Sequence, residues 1–236
     1  MVSQRKKRTL WHIYHGTAGA AGAYVDALQT ASARAGIRSR AFVSFGYTYT
    51  TPGVTRWFFP LTSHMKRRGR IGQMLRGTEL VLGYLLLWLR VAVSRPVINL
   101  HFADQPRLMG GFVSAVKLLG LRVYLTCHNV TQANHKWMDP RRRKTFLRAD
   151  KLVVHSSGAA NLLVEHLGPE IANRTIKYPF PFSSYDAILS PSQLLSGKET
   201  VTRLMEGRNG PYYLFIGVVR ASKGIATLVE AWKKSQ

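Results

Sequence analysis

The chain has 236 residues, 46% of them hydrophobic, which is long and apolar enough to bury a sizeable core and excludes disorder as its default state. Its 34 basic residues against 11 acidic ones give a formal charge of +23, which points to an anionic partner: nucleic acid, acidic lipid or a phosphorylated substrate. The excess is concentrated early, with 24 basic and 5 acidic residues in positions 1–150 against 10 and 6 in the remainder.

From the N-terminus, Arg5-Lys6-Lys7-Arg8 is followed by an apolar run too short, and too interrupted by His12 and His15, to serve as a secretory leader, so export is not expected. Short β-rich runs predict strands over 9–14, 39–44, 97–101, 123–127, 151–154 and 175–178. Segments of helical period fill the intervals. One spans 23–35 and stops at Gly36, one spans 78–93 before Pro96, and one spans 111–119 and stops at Gly120. A further helix over 159–166 follows Ser156 or Ser157 as N-cap. The most apolar stretch, 80–93, is bounded by Glu79 and Arg90 and is shorter than the roughly 20 residues needed to cross a bilayer, so a buried or interfacial helix is expected. Residues 46–60 read as a long irregular loop, with a basic cluster at 64–70 behind it.

Strands alternating with helices are the signature of βαβ units and a parallel sheet. The expected fold class is therefore α/β, a Rossmann-like parallel sheet with flanking helices over residues 1–182. Residues 183–210 turn to Ser, Pro and Gly and read as a linker. A second α/β unit then opens with a strand at 212–216, a basic turn at 217–224 and a helix at 225–234. One strand and one helix cannot bury a core of their own, so this second domain, over 211–236, is expected to be incomplete in the chain as given.

Four features could carry chemistry. The segment Gly16-Thr17-Ala18-Gly19-Ala20-Ala21-Gly22 lies between a strand and a helix, where glycines let a ligand approach the backbone and the helix N-terminus favours an anion. It lacks the Lys-Ser/Thr of a Walker A loop, and a tight packing turn would use the same residues. His101 and His128 each end a buried strand, the edge at which ligands gather in open α/β sheets, although a lone histidine there is as readily structural. Their spacing matches no zinc signature, so neither a metal nor another cofactor is expected. In Gly217-Val218-Val219-Arg220-Ala221-Ser222-Lys223-Gly224, Arg220 and Lys223 could face a diphosphate, or lie in a solvated basic turn. Finally, Trp57-Phe58-Phe59 precedes Lys66-Arg67-Arg68-Gly69-Arg70, and apolar groups beside cations suit an anionic membrane surface. A second charge run, Arg141-Arg142-Arg143-Lys144, reads as solvated. No RNA- or DNA-binding module accompanies the charge, which argues against a nucleic-acid partner. The single cysteine, Cys127, cannot form an internal disulfide and fits a reducing compartment.

Taken in order, these pieces resemble the retaining glycosyltransferase family 4, with its GT-B architecture of two facing Rossmann-like domains. The resemblance rests on the glycine loop Gly16–Gly22, the strand ending Ile98-Asn99-Leu100-His101, the strand ending Leu125-Thr126-Cys127-His128-Asn129, the run Ala149-Asp150-Lys151-Leu152-Val153-Val154-His155-Ser156, the turn Ile176-Lys177-Tyr178-Pro179, and Phe215-Ile216-Gly217 with Lys223-Gly224. It implies transfer of a sugar from a nucleotide-diphosphate donor to a saccharide or lipid-linked acceptor, with retention and without a metal. It implies that Gly22, Gly217, Arg220 and Lys223 hold the donor diphosphate and that His128 is the catalytic-site histidine. It further implies that Gly19, His101 and Asn129 contact acceptor or sugar. Val218 stands where relatives often carry arginine, and Ala21-Gly22 replaces their double glycine. The family's acidic donor-binding motif lies beyond Gln236, so the chain alone is expected to be nearly inactive, or to need a second chain. Trp57, Phe58, Lys66, Arg67, Arg68 and Arg70 are the expected contact with the inner face of the cytoplasmic membrane.

Overall fold

The computed structural model describes residues 9–17, 20–65, 69–101, 105–131 and 138–178, together with Glu199, Thr202, Glu206 and Glu230. The chain divides into two compact units, Met1–Phe182 and Ser183–Gln236. The strand, turn and helix read from sequence at 212–234 lie outside the described residues, apart from Glu230.

The first unit is built on seven strands: β1 (Leu10–Tyr14), β2 (Ser39–Ser44), β3 (Val54–Phe58), β4 (Val97–His101), β5 (Val123–Thr126), β6 (Lys151–Val154) and β7 (Thr175–Lys177). They form one sheet in the order β3-β2-β1-β4-β5-β6-β7, and every pair is parallel. The first six follow the doubly wound order in which the chain turns back at β1 and then continues outward from β4. Five helices accompany them among the described residues: α1 (Ala20–Arg34), α2 (Arg70–Ser94), α3 (Pro106–Leu118), α4 (Pro140–Arg148) and α5 (Ser157–Leu167). This is a Rossmann-like α/β fold.

Strand side chains alternate between the two faces of the sheet. On one face Trp11, Ile13, Phe42, Ile98, Leu100, Val123, Leu125, Leu152 and Val154 enter a single core. It is closed by Leu80, Tyr84 and Leu87 of α2, Met109 and Phe112 of α3, Phe146 of α4 and Leu163 of α5. Each such side chain, fully buried, stabilises the fold by about 1.5–3 kcal/mol. On the other face a smaller cluster joins Tyr14, Ala41 and Val43 to Val25 of α1 and Tyr47. The odd–even pattern therefore leaves the polar residues of β1, β4 and β5 together on the α1 side.

Helix ends follow local chemistry. Gly36 and Gly120 take positive φ (66° and 68°) just beyond α1 and α3, where a Cβ would be strained. Asp139 caps α4 by accepting from the backbone N–H groups of Arg141 and Arg142, and Pro140 fills the first helical position. Ser156 caps α5 through the N–H of Ala159.

The structure corrects three expectations. The 46–60 segment is not wholly irregular, because Val54–Phe58 adds β3 as an edge strand beside β2. Helix α2 begins at Arg70 rather than near Thr78. The run Arg141–Lys144 lies within α4, where Arg142 is only 3% exposed and its guanidinium donates to the carbonyl of Asn129 at 3.3 Å.

Candidate functional site

Where strand order reverses, between β1 and β4, adjacent crossovers leave in opposite directions and open a crevice at the strands' carboxyl ends. Sequence supplies that edge with imidazoles. His12 lies within β1, His101 ends β4, His128 follows β5 and His155 follows β6. Register decides how they meet: His12 pairs with Asn99, two residues before His101, and His101 pairs with Thr126, two residues before His128. Period-two alternation puts all five on the same face.

Contacts then run across the sheet. His12 Nδ1 lies 3.3 Å from His101 Nε2, and His101 Nδ1 lies 3.5 Å from His128 Nε2. The rings of His128 and His155 are 5.1 Å apart, and His155 Nδ1 is 3.0 Å from the carbonyl oxygen of Tyr178. Tyr24 of α1 covers the row, with centroids 5.7, 5.0 and 4.7 Å from His101, His128 and His155. Behind it, the Thr126 hydroxyl donates to Asn99 Oδ1 at 2.9 Å, leaving Asn99 Nδ2 facing His12 Nδ1 at 3.3 Å. In that orientation the amide donates to the single lone pair of His12 Nδ1, and His12 Nε2 is buried without a partner among the described residues. The row is thus a line of ring-nitrogen contacts joining His12, His101 and His128.

Electrostatics keep these three rings neutral. Burial lowers His12 to about 4. Burial, then the neighbouring imidazoles His12, His128 and His155, holds His101 well below its ordinary value. Burial first, and His155 second, lowers His128 to about 3. Burial also raises Tyr24 to about 12. At neutral pH His12, His101 and His128 are therefore uncharged; His12 and His101 are fully buried, so the partly exposed His128 is the ring left to meet a hydroxyl group. The nitrogens meet in pairs rather than converging on a point, and among the described residues no group of three or more His, Cys, Asp or Glu is placed to hold a metal ion.

The site residues read from sequence are placed unevenly. His101 and His128 are brought together, and Asn129 is exposed beside them with its carbonyl oxygen held by Arg142. Gly22 is buried in the first turn of α1, where an added Cβ would stand 3.1 Å from the ring of Tyr49 and its carbonyl oxygen accepts from the Tyr47 hydroxyl at 2.8 Å. That packing gives this glycine a reason of its own. Gly16 is constrained in the same way, since a Cβ there would come within 2.2 Å of the Tyr14 ring. Gly19, Gly217, Arg220, Lys223, Lys66, Arg67 and Arg68 lie outside the described residues.

Trp57 and Phe58 do not form an exposed patch, which corrects the expectation for them. Phe58 is fully buried, and half-buried Trp57 donates its indole N–H to the carbonyl of Gly83 at 2.9 Å. Both belong to β3, whose side chains pack beneath α2. Arg70 is exposed at the start of that helix. Sequence reasoning missed His12, Tyr24, Arg142 and, as a site residue, His155; the signal for His12 and His155 was their parity with His101 and His128 on neighbouring strands.

Fold and site together define a Rossmann-like α/β domain with a histidine-lined strand edge. No family model matches the chain, and no curated protein matches it. Among solved structures it is similar to the UDP-GlcNAc 2-epimerase from Neisseria meningitidis bound to UDP-GlcNAc, at 13% sequence identity and a TM-score of 0.49, over 84% of this chain and 52% of that one. The chain thus spans about half the length of that structure.

Proposed function

We propose that the chain is a sugar transferase of the retaining GT-B type, in which a nucleotide-diphosphate sugar gives its glycosyl group to a saccharide or lipid-linked hydroxyl. The bond from the anomeric carbon to the diphosphate breaks, the acceptor oxygen forms the new bond, its proton is lost and the nucleoside diphosphate departs. The observation that carries this reading is the row of neutral imidazoles at the β1/β4 switch point, joined to the order of motifs along the chain. A neutral ring does little for a diphosphate but can orient a sugar hydroxyl, which is the role assigned here to His128, with His101 and Asn129 beside it. Leaving-group charge calls for cations and a helix N-terminus, the role assigned to Lys223, Arg220 and the turn at Gly217. Gly22 is assigned to the loop facing the phosphates, and Gly19 to contact with acceptor or sugar. No metal or other cofactor is required by this scheme.

The test is calorimetric titration of the full chain with nucleoside diphosphates and their sugars, followed by transfer assays with radiolabelled donors. Micromolar to millimolar binding is expected, weakened about ten-fold or more by Lys223→Ala through loss of one charge-assisted contact. His128→Ala is expected to spare nucleoside diphosphate binding and weaken the sugar-bearing form selectively. Absence of binding for every nucleotide base tried, or equal loss of both ligands in His128→Ala, would overturn the reading.

A further inference from the structure

Helix α2 is apolar on two sides, and only one of them is used by the fold. Its inner stripe, including Leu80, Tyr84, Leu87 and Val91, is buried against the sheet and α3. Its outer stripe runs through Ile71 and Met74, is interrupted by exposed Thr78, and continues through Leu82, Leu86, Leu89 and Val93 in steps of three or four, with exposures of these apolar residues from 50% to 86%. From Ile71 to Val93 it runs for about 33 Å, far beyond the scattered apolar residues of an ordinary surface.

We propose that this outer face of α2 lies in the headgroup–acyl boundary of an anionic bilayer, with the helix axis along the membrane plane. By length and hydropathy the helix could cross a bilayer, but its inner stripe is committed to the core, so lipid can reach one side alone. Charge selects the occupant. The acidic residue of α2 is Glu79, and its carboxylate is tied to the N–H groups of Leu61 and Thr62. Arg70, Arg76 and Arg90 lie along the helix and Arg95 ends it. Arg76 sits 3.5 Å over the Phe59 ring and Arg90 5.7 Å over that of Trp57, so cations flank the stripe. A second copy would bring the same excess of positive charge to the contact, whereas acidic lipid complements it. Beside the stripe, a groove of about 440 Å³ between α2 and α3 is lined by Val81, Leu85, Trp88, Leu108 and Phe112, with Arg107 as its charged member. An acyl chain fits that apolar lining. This docking is independent of what the histidine edge binds, and it replaces the Trp57–Phe58 surface that the fold buries.

The full chain is floated with vesicles of phosphatidylglycerol and phosphatidylcholine in equal parts, and with phosphatidylcholine alone. Partition into the anionic vesicles is expected, falling at least ten-fold in high salt and at least ten-fold in the double variant Leu85→Glu/Leu89→Glu, whose circular dichroism should match wild type because both positions are half exposed. Since Cys127 is buried, Leu86→Cys also accepts a polarity-sensitive fluorophore cleanly. Its emission should shift to the blue with anionic vesicles, while a label at Glu165→Cys on α5 should not respond. Wild-type chain left unbound at low salt, or a silent label at position 86, overturns the proposal. So does a dimer in lipid-free solution that the double variant dissociates, since the face would then belong to a second copy.

Discussion

Lowering the pH should unfold this protein through its histidine row. An unfolded histidine titrates at 6.5, whereas native His12 titrates at about 4, native His128 at about 3 and native His101 well below its ordinary value. Below the unfolded value the denatured chain takes up protons that the native state refuses, so stability is complete above about pH 6.5 and falls as pH drops. The loss ends for each group only near its native value. The slope is about 1.4 kcal/mol per pH unit for each such histidine, so between about pH 6.5 and pH 5 buried His12 alone costs about 2 kcal/mol. His128, being partly exposed, adds less, and His101 adds in the same direction. Urea titrations followed by circular dichroism would read the His12 share alone as a midpoint falling by roughly 1 M at an m-value of about 2 kcal/mol/M. His12→Leu should remove one proton from the linkage and flatten the pH dependence. A midpoint constant from about pH 7.5 to pH 5, or a slope unchanged in His12→Leu, would refute the burial and neutrality of the row.

Two glycines of α2 should respond with opposite signs. At Gly83 an added Cβ would stand 2.9 Å from the Phe58 ring, so Gly83→Ala should destabilise by about 1–2 kcal/mol despite better helix propensity. At Gly77 nothing lies within 4 Å, and Gly77→Ala should stabilise by about 0.5–1 kcal/mol in the same denaturation assay. Within α4, Arg142→Met should cost about 1–3 kcal/mol by leaving the Asn129 carbonyl without its donor, whereas exposed Lys144→Met should change stability by less than about 0.5 kcal/mol. Asp139→Ala removes an acceptor shared by two backbone N–H groups and should cost about 1 kcal/mol, read as a lower thermal midpoint. If His128 acts as a neutral partner of a sugar hydroxyl, the pH profile of transfer should show no histidine limb between about pH 5 and pH 8.

Much of the domain was legible in local pattern. Six strands, the glycines ending α1 and α3, and the Ser156 cap follow from period, propensity and φ preference, all of which act within a few residues. The two strand-end histidines were visible for the same reason. β3 was hidden because its five residues follow a Thr-, Tyr- and Pro-containing stretch, and only pairing with β2 makes them a strand. Arg142 looked like one member of a charge run until the packing of α4 turned it inward toward Asn129.

The sequence by itself determined an α/β chain with a basic first portion and histidines at its strand ends. Tertiary structure alone decided that His12 touches His101, 89 residues away, and that Trp57 and Phe58 pack against the core while Leu82, Leu86 and Leu89 of α2 point out. The reason is physical: side-chain period assigns a residue to a face, but strand order and register choose its neighbours on that face, and the same apolar composition serves a buried stripe or an exposed one.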